Sequence, residues 1–343
     1  MGTTLYKNAD WIITMNEKRE KIRHGDLLIS GKEILDVGTD LEKKYEGTLK
    51  IDHVVEAEGT VILPGFVNVH HHTWQSLIRN IQATRGLKLE PWLTVMYEIY
   101  KDLNTDVARA GVYSGLGDML KTGCTTSNDL WYPHPVGVKY LVDAEIEAAA
   151  EIGIRFHPTR GFHSVPSSIV PPEVVDTKES VVEDTIRLVK KYHDRSRFSM
   201  CQVGIAPSIT QYETEDIIEA VVDLAEEYDI MVHGHLAESQ HEVEYTLKTW
   251  GCRPFEWFKR HRLLGKRFYF AHCIHLNEEE IAQMAETGTG VAHCPISNML
   301  LSSGACPVPS YLEHGLTRIG LGVDGAASSN SSNMLEEIRC AYL

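Results

Sequence analysis

Apolar and polar positions are patterned differently in the first 60 residues and in the rest of the chain. Up to residue 60, segments such as TLYKNADWIITM and GDLLISGKEILDVG carry β-branched and aromatic residues separated by Gly, Asp and Asn. This pattern is typical of short strands joined by turns. From residue 61 onward, short apolar runs alternate with longer amphipathic segments, which is typical of βα units and a parallel sheet. We therefore predict a β-sandwich portion over 1–60 and an α/β domain over 61–343.

Eight apolar runs after residue 60 are candidate strands: VILPGFVNVH, CTTSNDLWY, IRFHPTRG, FSMCQVGIAP, IMVHGHLAE, FYFAHCIHL, GTGVAHCPI and TRIGLGVDG. Helical periodicity is found between them, at 105–122, 137–152, 176–193, 214–228, 277–286 and 307–314. Eight strands with intervening helices predict a (β/α)8 TIM barrel. In that fold the catalytic groups lie at the C-terminal ends of the strands.

Three consecutive histidines end the first candidate strand. Because side chains alternate along a strand, His70 and His72 face the barrel mouth together, whereas His71 faces the other way. His70 and His72 are therefore candidate metal ligands. Taken alone, the motif is equally consistent with a polar strand end that has no function.

Other strand ends also carry histidine and carboxylate side chains, namely His233, His235 and Glu238 after the fifth strand, His272 in the sixth and Asp324 in the eighth. Buried imidazole and carboxylate groups need partners, and a metal ion would supply one partner for several of them. Three histidines and one carboxylate suit a single Zn²⁺ per chain, with Fe²⁺ and Mn²⁺ as alternatives, and leave a position open for water.

Five motifs follow one another over nearly the whole chain: LPGFVNVHHH, VHGHLAES, FAHCIHL, GVAHCPISNM and GLGVDGAASSN. In this order they resemble the amidohydrolase superfamily, and within it the branch of aromatic-base deaminases and chlorohydrolases. HHHTWQSLIR and GVDGAASSNSSNMLEEIR are most similar to 8-oxoguanine deaminases and their hydroxyatrazine and isoxanthopterin hydrolase relatives. The resemblance implies metal-dependent deamination of a purine-like base with release of ammonia. Hydrolysis of a triazine or pterin, with chloride, alkylamine or amine as the leaving group, is the alternative.

The resemblance also implies a set of metal ligands, which are His70, His72, His235 and Asp324. His233 competes with His235 for this role, but only His235 gives the His-x-x-Glu spacing of the family. A related branch bridges two metal ions with a carboxylated lysine on the fourth strand, and FSMCQVGIAPS contains no lysine. A single metal ion is therefore favoured.

Three residues receive catalytic roles by the same resemblance. Glu238 would protonate a ring nitrogen and later deliver a proton to the departing amine, and Asp324 would accept a proton from the attacking water. His272 would stabilise charge near the attacking oxygen.

Substrate contacts are less well defined by the sequence. The candidates are Gln75, Arg160, Trp92 and Trp131, and each has a structural alternative as a capping, solvated or core residue. The loops TRGFHSVP and APSITQYE differ from the corresponding loops of the resembled subgroup, so the identity of the substrate base stays open. His163, Gln211 and Tyr212 are further candidate substrate contacts in these loops. Asn298 is predicted to brace a loop.

Composition narrows the range of partners. The formal net charge is −15 at pH 7 and there is no Lys/Arg-rich run, which argues against nucleic acid and anionic membranes. Seven cysteines without C-x-x-C spacing indicate neither a disulfide framework nor a zinc ribbon. No signal peptide or run of eighteen apolar residues is present, so a cytoplasmic protein acting on small heterocycles is expected.

Relatives of the resembled branch are often oligomers, so a homo-oligomer is an open expectation. Those relatives also continue past the eighth strand with segments that complete the small β-sandwich, whereas this chain ends at Leu343. The C-terminal sandwich strands are therefore expected to be absent, and a non-catalytic, metal-binding truncated form is the alternative to an enzyme.

Overall fold

A computed structural model describes residues 2–209 and 212–343 and divides the chain into two compact units, Met1–Gly65 and Phe66–Leu343. The division falls five residues after the boundary at residue 60 that the sequence pattern indicates. Gln211, one of the candidate substrate contacts, lies outside the described residues.

The first unit is one mixed sheet with a short helix. Its strands are β1 (Thr3–Ile13), β2 (Lys21–Ser30), β3 (Glu33–Gly38), β4 (His53–Glu56) and β5 (Val61–Ile62), and its helix is α1 (Leu41–Lys44). The strand order is β3-β2-β1-β4, with β5 also pairing with β1. β1 and β2 pair antiparallel, whereas β4 and β5 run parallel to β1. Leu5, Leu28 and Leu41 form one of its small apolar clusters.

Strand β5 corrects one detail of the sequence analysis. Val61 and Ile62 begin the run VILPGFVNVH, which was assigned as a whole to the barrel, but they pair with Trp11 and Ile12 of β1. Pro64 follows them, and proline cannot donate to a strand ladder. The run is therefore split between the two units.

The second unit contains a nearly closed barrel of eight parallel strands, which confirms the predicted (β/α)8 fold. In spatial order the sheet is β14-β13-β12-β11-β10-β9-β8-β6. The strands are β6 (Phe66–Asn68), β8 (Cys124–Trp131), β9 (Arg155–Phe162), β10 (Gly204–Pro207), β11 (Val232–Leu236), β12 (Phe268–His272), β13 (Gly290–His293) and β14 (Ile319–Leu321). Each coincides with one of the eight candidate runs.

The first and last strands of the barrel are joined through short segments at their ends. The Val69 N–H donates to the Leu321 carbonyl at 3.1 Å, and the Asp324 N–H donates to the His70 carbonyl at 3.1 Å. Two further strands, β7 (His71–His72) and β15 (Asp324–Gly325), pair in parallel, with Asp324 opposite His71. This closure brings the histidine run beside Asp324.

Helices surround the barrel: α2 (Leu89–Tyr100), α3 (Thr105–Lys121), α4 (Leu141–Ile152), α5 (Lys178–Tyr192), α6 (Glu215–Tyr228), α7 (Gln240–Trp250), α8 (Pro254–Arg260), α9 (Glu278–Thr287), α10 (Pro295–Leu300), α11 (Val308–Glu313), α12 (Ala326–Ser329) and α13 (Met334–Tyr342). The sequence pattern predicted α3, α4, α5, α6, α9 and α11. Several start at side-chain caps, such as Asn104 for α3 and the Asn277–Glu280 capping box of α9. Across the described ranges, none of the helices has the length and apolarity needed to cross a bilayer.

Helix α3 packs closely against the chain that follows the histidine run. A Cβ on Gly111 would come within 2.8 Å of the Trp74 Cα, so only glycine permits this approach. A Cβ on Gly115 would similarly come within 3.2 Å of His71 Nε2. The helix therefore supports the backbone that carries the first two candidate ligands.

Candidate active site

Four buried side chains converge at the C-terminal end of the barrel, in the positions that the sequence analysis assigned to metal ligands. His70 Nε2 and His72 Nε2 each lie 3.3 Å from Asp324 Oδ1. His235 Nε2, from β11, lies 3.3 Å from His72 Nε2. The ligand atoms of His70, His72 and His235 lie within 4.8 Å of one another, as do those of His70, His272 and Asp324, so the two overlapping groups could hold a metal ion.

Hydrogen bonds at the far side of two rings fix their tautomers. His72 Nδ1 lies 2.7 Å from the Leu130 carbonyl, and His235 Nδ1 lies 2.7 Å from the Ser208 carbonyl. A carbonyl oxygen can only accept, so each Nδ1 carries the hydrogen and each Nε2 presents a lone pair. Two lone pairs then face each other beside a carboxylate, and a cation is the group that satisfies all three.

His70 is oriented by a second histidine. His233 Nδ1 donates to the Tyr269 carbonyl at 2.9 Å, so its Nε2 accepts a hydrogen bond from His70 Nδ1 at 2.7 Å. The Nε2 of His70 is left with a lone pair and without a hydrogen-bond partner among the described residues. His233 thus lies behind the ligand set and orients His70.

The ionisation states suit a divalent cation. Burial lowers the pKa of His72 to about 3 and also lowers those of His70 and His235, so the imidazoles are neutral. Burial raises the pKa of Asp324, but the neighbouring His70, His72 and His272 outweigh this effect and lower it well below its usual range. Neutral imidazole and ionised carboxylate are the forms that bind metals.

Three further groups hold the carboxylate of Asp324. Ser297 Oγ and Ser328 Oγ donate to Oδ2 at 2.5 and 3.0 Å, and the Gly325 N–H donates to Oδ1 at 2.7 Å. The sequence analysis did not identify either serine. In the sequence, only their position in the motifs PISNM and GAASSN points to these serines. Serine is common in loops, so the residue type alone does not single them out.

Glu238 and His272 stand next to the ligand cluster. His272 Nε2 lies 3.4 Å from Glu238 Oε2, and the Ser303 hydroxyl lies 3.4 Å from Glu238 Oε1. Burial raises the pKa of Glu238 to about 7, which the charge of His272 partly offsets. Burial lowers the pKa of His272, but the charges of Glu238 and Asp324 outweigh this effect and raise it overall. The pair can therefore hold and exchange a proton near neutral pH.

Asn298 has a more specific position than the loop-bracing role that the sequence suggested. Its Oδ1 accepts a hydrogen bond from His272 Nδ1 at 2.9 Å. This bond directs the other ring nitrogen of His272 toward Glu238, so Asn298 sets the orientation of a candidate catalytic group.

A cavity of about 30 Å³ lies directly above these groups. Its walls are His72, Gln75, Leu89, Trp92, Leu93, Tyr132, Ile209, His235, Glu238, His272, Leu301, Asp324 and Ser328. The structure therefore brings Gln75 and Trp92, two of the four candidate substrate contacts, to the same space as the candidate ligands and Glu238.

Comparison with known proteins now places the chain in a family. Residues 61–343 match the sequence pattern of the amidohydrolase family. The chain is 37% identical over 289 residues to 8-oxoguanine deaminase of Pseudomonas aeruginosa, an alignment that covers 83% of this chain and 64% of that protein. The chain belongs to the amidohydrolase family.

Two further relatives of this amidohydrolase act, by their names, on triazines. This chain is 31% identical to hydroxydechloroatrazine ethylaminohydrolase of Pseudomonas sp. strain ADP, in an alignment that covers all of this chain and 73% of that protein. The crystal structure of atrazine chlorohydrolase from Arthrobacter aurescens in complex with zinc matches with a TM-score of 0.92 and 26% identity, over 99% of this chain and 76% of that one.

The structure does not bring Arg160 to the cavity. Its guanidinium is buried and forms two hydrogen bonds with Asp176, both 2.9 Å, and another with Asp184 at 3.3 Å. A buried guanidinium needs such partners, and Arg160 is not among the residues that line the cavity. In this amidohydrolase Arg160 therefore has a structural position, which corrects the predicted substrate contact.

Trp131, His163 and Tyr212 are also buried away from the cavity. Trp131 donates its Nε1 hydrogen to the Pro133 carbonyl at 2.8 Å and packs against Trp74, with 4.6 Å between ring centroids. The neighbouring Tyr132 lines the cavity instead, because successive side chains along a strand face opposite ways. The predicted stacking contact of Trp131 is thus replaced by core packing.

We expect the zinc affinity of this amidohydrolase to change little between about pH 8 and pH 5. Free histidine is protonated below about pH 6.5, so exposed ligands would lose roughly tenfold in affinity per pH unit for each proton. Because burial lowers the pKa of His72 to about 3, protons compete only at much lower pH. Zinc titration against a competing chelator at each pH measures this. A fall of two or more orders of magnitude from pH 6 to pH 5 would contradict it.

Proposed function

We propose that this barrel is a single-metal hydrolase that deaminates a purine-like base, with a base of the 8-oxoguanine type as the first candidate. The observation that carries the proposal is the meeting of three imidazole lone pairs and one carboxylate beside a buried acid, Glu238, whose pKa lies near 7. The 37% identity to an 8-oxoguanine deaminase supports this choice of substrate.

Zn²⁺ is the proposed ion, because a nitrogen-rich set with one carboxylate suits it and leaves a position for water. The zinc complex of the similar atrazine chlorohydrolase supports the same choice, and Fe²⁺ and Mn²⁺ remain the alternatives. When bound, such an ion acidifies water and so supplies the nucleophile that attacks an electron-poor ring carbon.

Three side chains of the protein then carry out the proton transfers and stabilise the developing charge. Asp324 is ionised and takes up the proton of the attacking water, while its Oδ2 stays bonded to Ser297 and Ser328. Glu238, whose pKa is raised to about 7 by burial so that a protonated fraction is present at neutral pH, donates to a ring nitrogen and makes the neighbouring carbon more electrophilic. His272 contributes positive charge on the side of the attacking oxygen. The proton taken up by Asp324 then passes to Glu238, which delivers it to the departing amine so that ammonia leaves. The remaining proton of the attacking water returns Glu238 to its protonated form as the oxo product forms.

Gln75 is the proposed contact that recognises the base. Its Oε1 is buried and has no hydrogen-bond partner among the described residues, although it lines the cavity. The amide lies over Gly325, where a Cβ would come within 1.8 Å of Oε1. Glycine at this position therefore makes room for the side-chain amide of Gln75, whose Oε1 is left to accept a hydrogen bond from a substrate.

Replacing Gln75 with Leu is expected to raise KM for the base about tenfold or more, because a buried hydrogen bond to a substrate contributes roughly 1 to 3 kcal/mol. Steady-state kinetics on purified variants measures KM and kcat separately. Gln82→Leu, at an exposed position in the following turn, is the matched control. An unchanged KM for Gln75→Leu would remove this residue from the proposed binding site.

The function is tested by elemental analysis of metal content together with product analysis on 8-oxoguanine, guanine, isoxanthopterin, cytosine and hydroxyatrazine. About one zinc per chain and ammonia release from an oxopurine support the proposal. Bound metal without turnover of any compound would favour a non-catalytic metal protein, and absence of metal would overturn the mechanism.

A triazine hydrolase is the second candidate function. It is favoured by the 31% identity to hydroxydechloroatrazine ethylaminohydrolase and by the similarity to the structure of atrazine chlorohydrolase. The leaving group separates the two candidates, because ethylamine or chloride in place of ammonia would show that the base is a triazine.

A further inference from the structure

We propose that Asp129, Glu145 and Thr73 form a clamp that positions the metal ligand His72. This inference rests on the proposed metal site, since the clamp acts on one of its ligands. The three residues come from separate parts of the chain: Asp129 from β8, Glu145 from α4 and Thr73 from the turn after β7.

Thr73 directly follows His72, and both of its polar groups are bound by carboxyl oxygens. Its N–H donates to Asp129 Oδ1 at 2.6 Å, and its hydroxyl donates to Glu145 Oε1 at 2.5 Å. All three side chains are fully buried, with 0% of their surface exposed. Bulk solvent does not reach these bonds, so they hold the peptide after His72 in one position.

Strand β8 also holds the ring of the same histidine. The His72 Nδ1 hydrogen is donated to the carbonyl of Leu130, the residue next to Asp129. Two neighbouring residues of one strand therefore fix His72 at both its backbone and its ring. Since the geometry of a metal ligand depends on both, the clamp acts on the direction of the Nε2 lone pair.

Two carboxyl groups at this place need a further explanation, because buried like charges repel. Asp129 Oδ2 and Glu145 Oε2 have no partner other than each other among the described residues, and the two side chains are within hydrogen-bonding reach. Burial raises the pKa of both carboxyls, and the charge of Asp129 raises that of Glu145 further. Glu145 is therefore the protonated member, and its Oε2–H donates to Asp129 Oδ2.

This arrangement satisfies every polar atom of the clamp. The ionised Asp129 accepts from the Thr73 N–H and from Glu145, while the neutral Glu145 accepts the Thr73 hydroxyl. An amide in place of the Glu145 carboxyl would retain both of its bonds, because its oxygen can accept and its NH₂ can donate. Glutamine and leucine at this position thus test different parts of the clamp.

The test measures Zn²⁺ affinity by competition with a chelator, and the visible spectrum of the Co²⁺-loaded protein, which reports ligand geometry. Thr73→Val and Glu145→Leu are expected to weaken zinc binding 10- to 100-fold and to change the cobalt absorption bands. In Thr73→Ser and Glu145→Gln the zinc affinity is expected to stay within about threefold of the parental value, and the cobalt spectrum is expected to match that of the parent. These conservative replacements keep the hydrogen bonds of the clamp.

Thermal unfolding of the metal-free variants separates positioning from folding. If Thr73→Val has the zinc affinity and cobalt spectrum of the parent and differs only in a lower melting temperature, the clamp is overturned. Equal damage by Glu145→Gln and Glu145→Leu would overturn the neutral, proton-donating Glu145. If Glu145→Leu does not fold, Thr73→Val decides the question. If the parent protein itself binds no metal, both the proposed function and this inference fail. If the parent binds metal and converts its substrate, the proposed function stands, and the variants then test the clamp alone.

Discussion

Replacing Glu238 with Gln is expected to lower kcat by roughly 10²- to 10⁴-fold, the contribution of a well-placed general acid and base. The amide has the same shape as the carboxyl and can still bond to His272 and Ser303, but it can neither give a proton to a ring nitrogen nor return one to the leaving amine. Zinc content should stay at the parental value, since Glu238 is not part of the ligand cluster.

The kinetic measurement is ammonia release under steady-state conditions, with metal content determined on the same samples. Glu244→Gln is the matched control, because Glu244 lies six residues further along the chain, on the exposed side of α7. A Glu238→Gln variant with kcat within a few fold of the parent would show that the proton comes from another group.

The second large effect is expected from His235→Gln, which should abolish stoichiometric zinc binding and reduce turnover to background. His235 Nε2 faces His72 Nε2 at 3.3 Å, and its own Nδ1 is fixed on the Ser208 carbonyl. Loss of a direct ligand should cost more than the 10- to 100-fold that loss of an outer partner costs.

Thermal unfolding with and without zinc gives an independent measurement. A ligand that binds only the folded state stabilises it according to its affinity, so the parent should gain in melting temperature with zinc and His235→Gln should not. The control is His241→Gln, because the His241 side chain is 53% exposed in the same segment. A full zinc-dependent gain in His235→Gln would show that His235 is not a ligand, and His233 would then be tested in its place.

The positions of the strands and of the main site residues could be predicted from local pattern. Eight apolar runs predicted the eight barrel strands, and the alternation of side chains predicted that His70 and His72 face one way. Glu238 followed from its spacing after His235. These features depend on neighbours in the chain and on the rule that barrel strands present their C-terminal ends to one mouth.

Helices α2, α7, α8, α10, α12 and α13 were missed. Three of them, α7, α10 and α12, follow strand ends that carry site motifs, where polar residues required by the site interrupt an apolar stripe. α7 is an example, because it begins at Gln240, two residues after Glu238, and its N-cap Ser239 accepts a hydrogen bond from the Glu242 N–H.

Only the tertiary structure decided which polar residues surround the ligands and which lie elsewhere. Arg160 looked equally suited to a substrate and to a structural ion pair, and the decision came from Asp176 and Asp184 on a later loop and helix. Thr73 meets Asp129 and Glu145 across 56 and 72 positions of the chain. A hydrogen bond over such a distance leaves no periodic trace in the sequence.

The sequence by itself therefore determined the barrel, the faces of its strands and the group of candidate metal ligands, because side-chain periodicity follows from backbone geometry. The tertiary structure decided the hydrogen-bonded tautomers of the histidines, the partners of Asp324 and His272, and the size of the cavity. Those properties arise from side chains that meet only after the barrel has closed, and burial then makes each unpaired polar atom costly enough to select one arrangement.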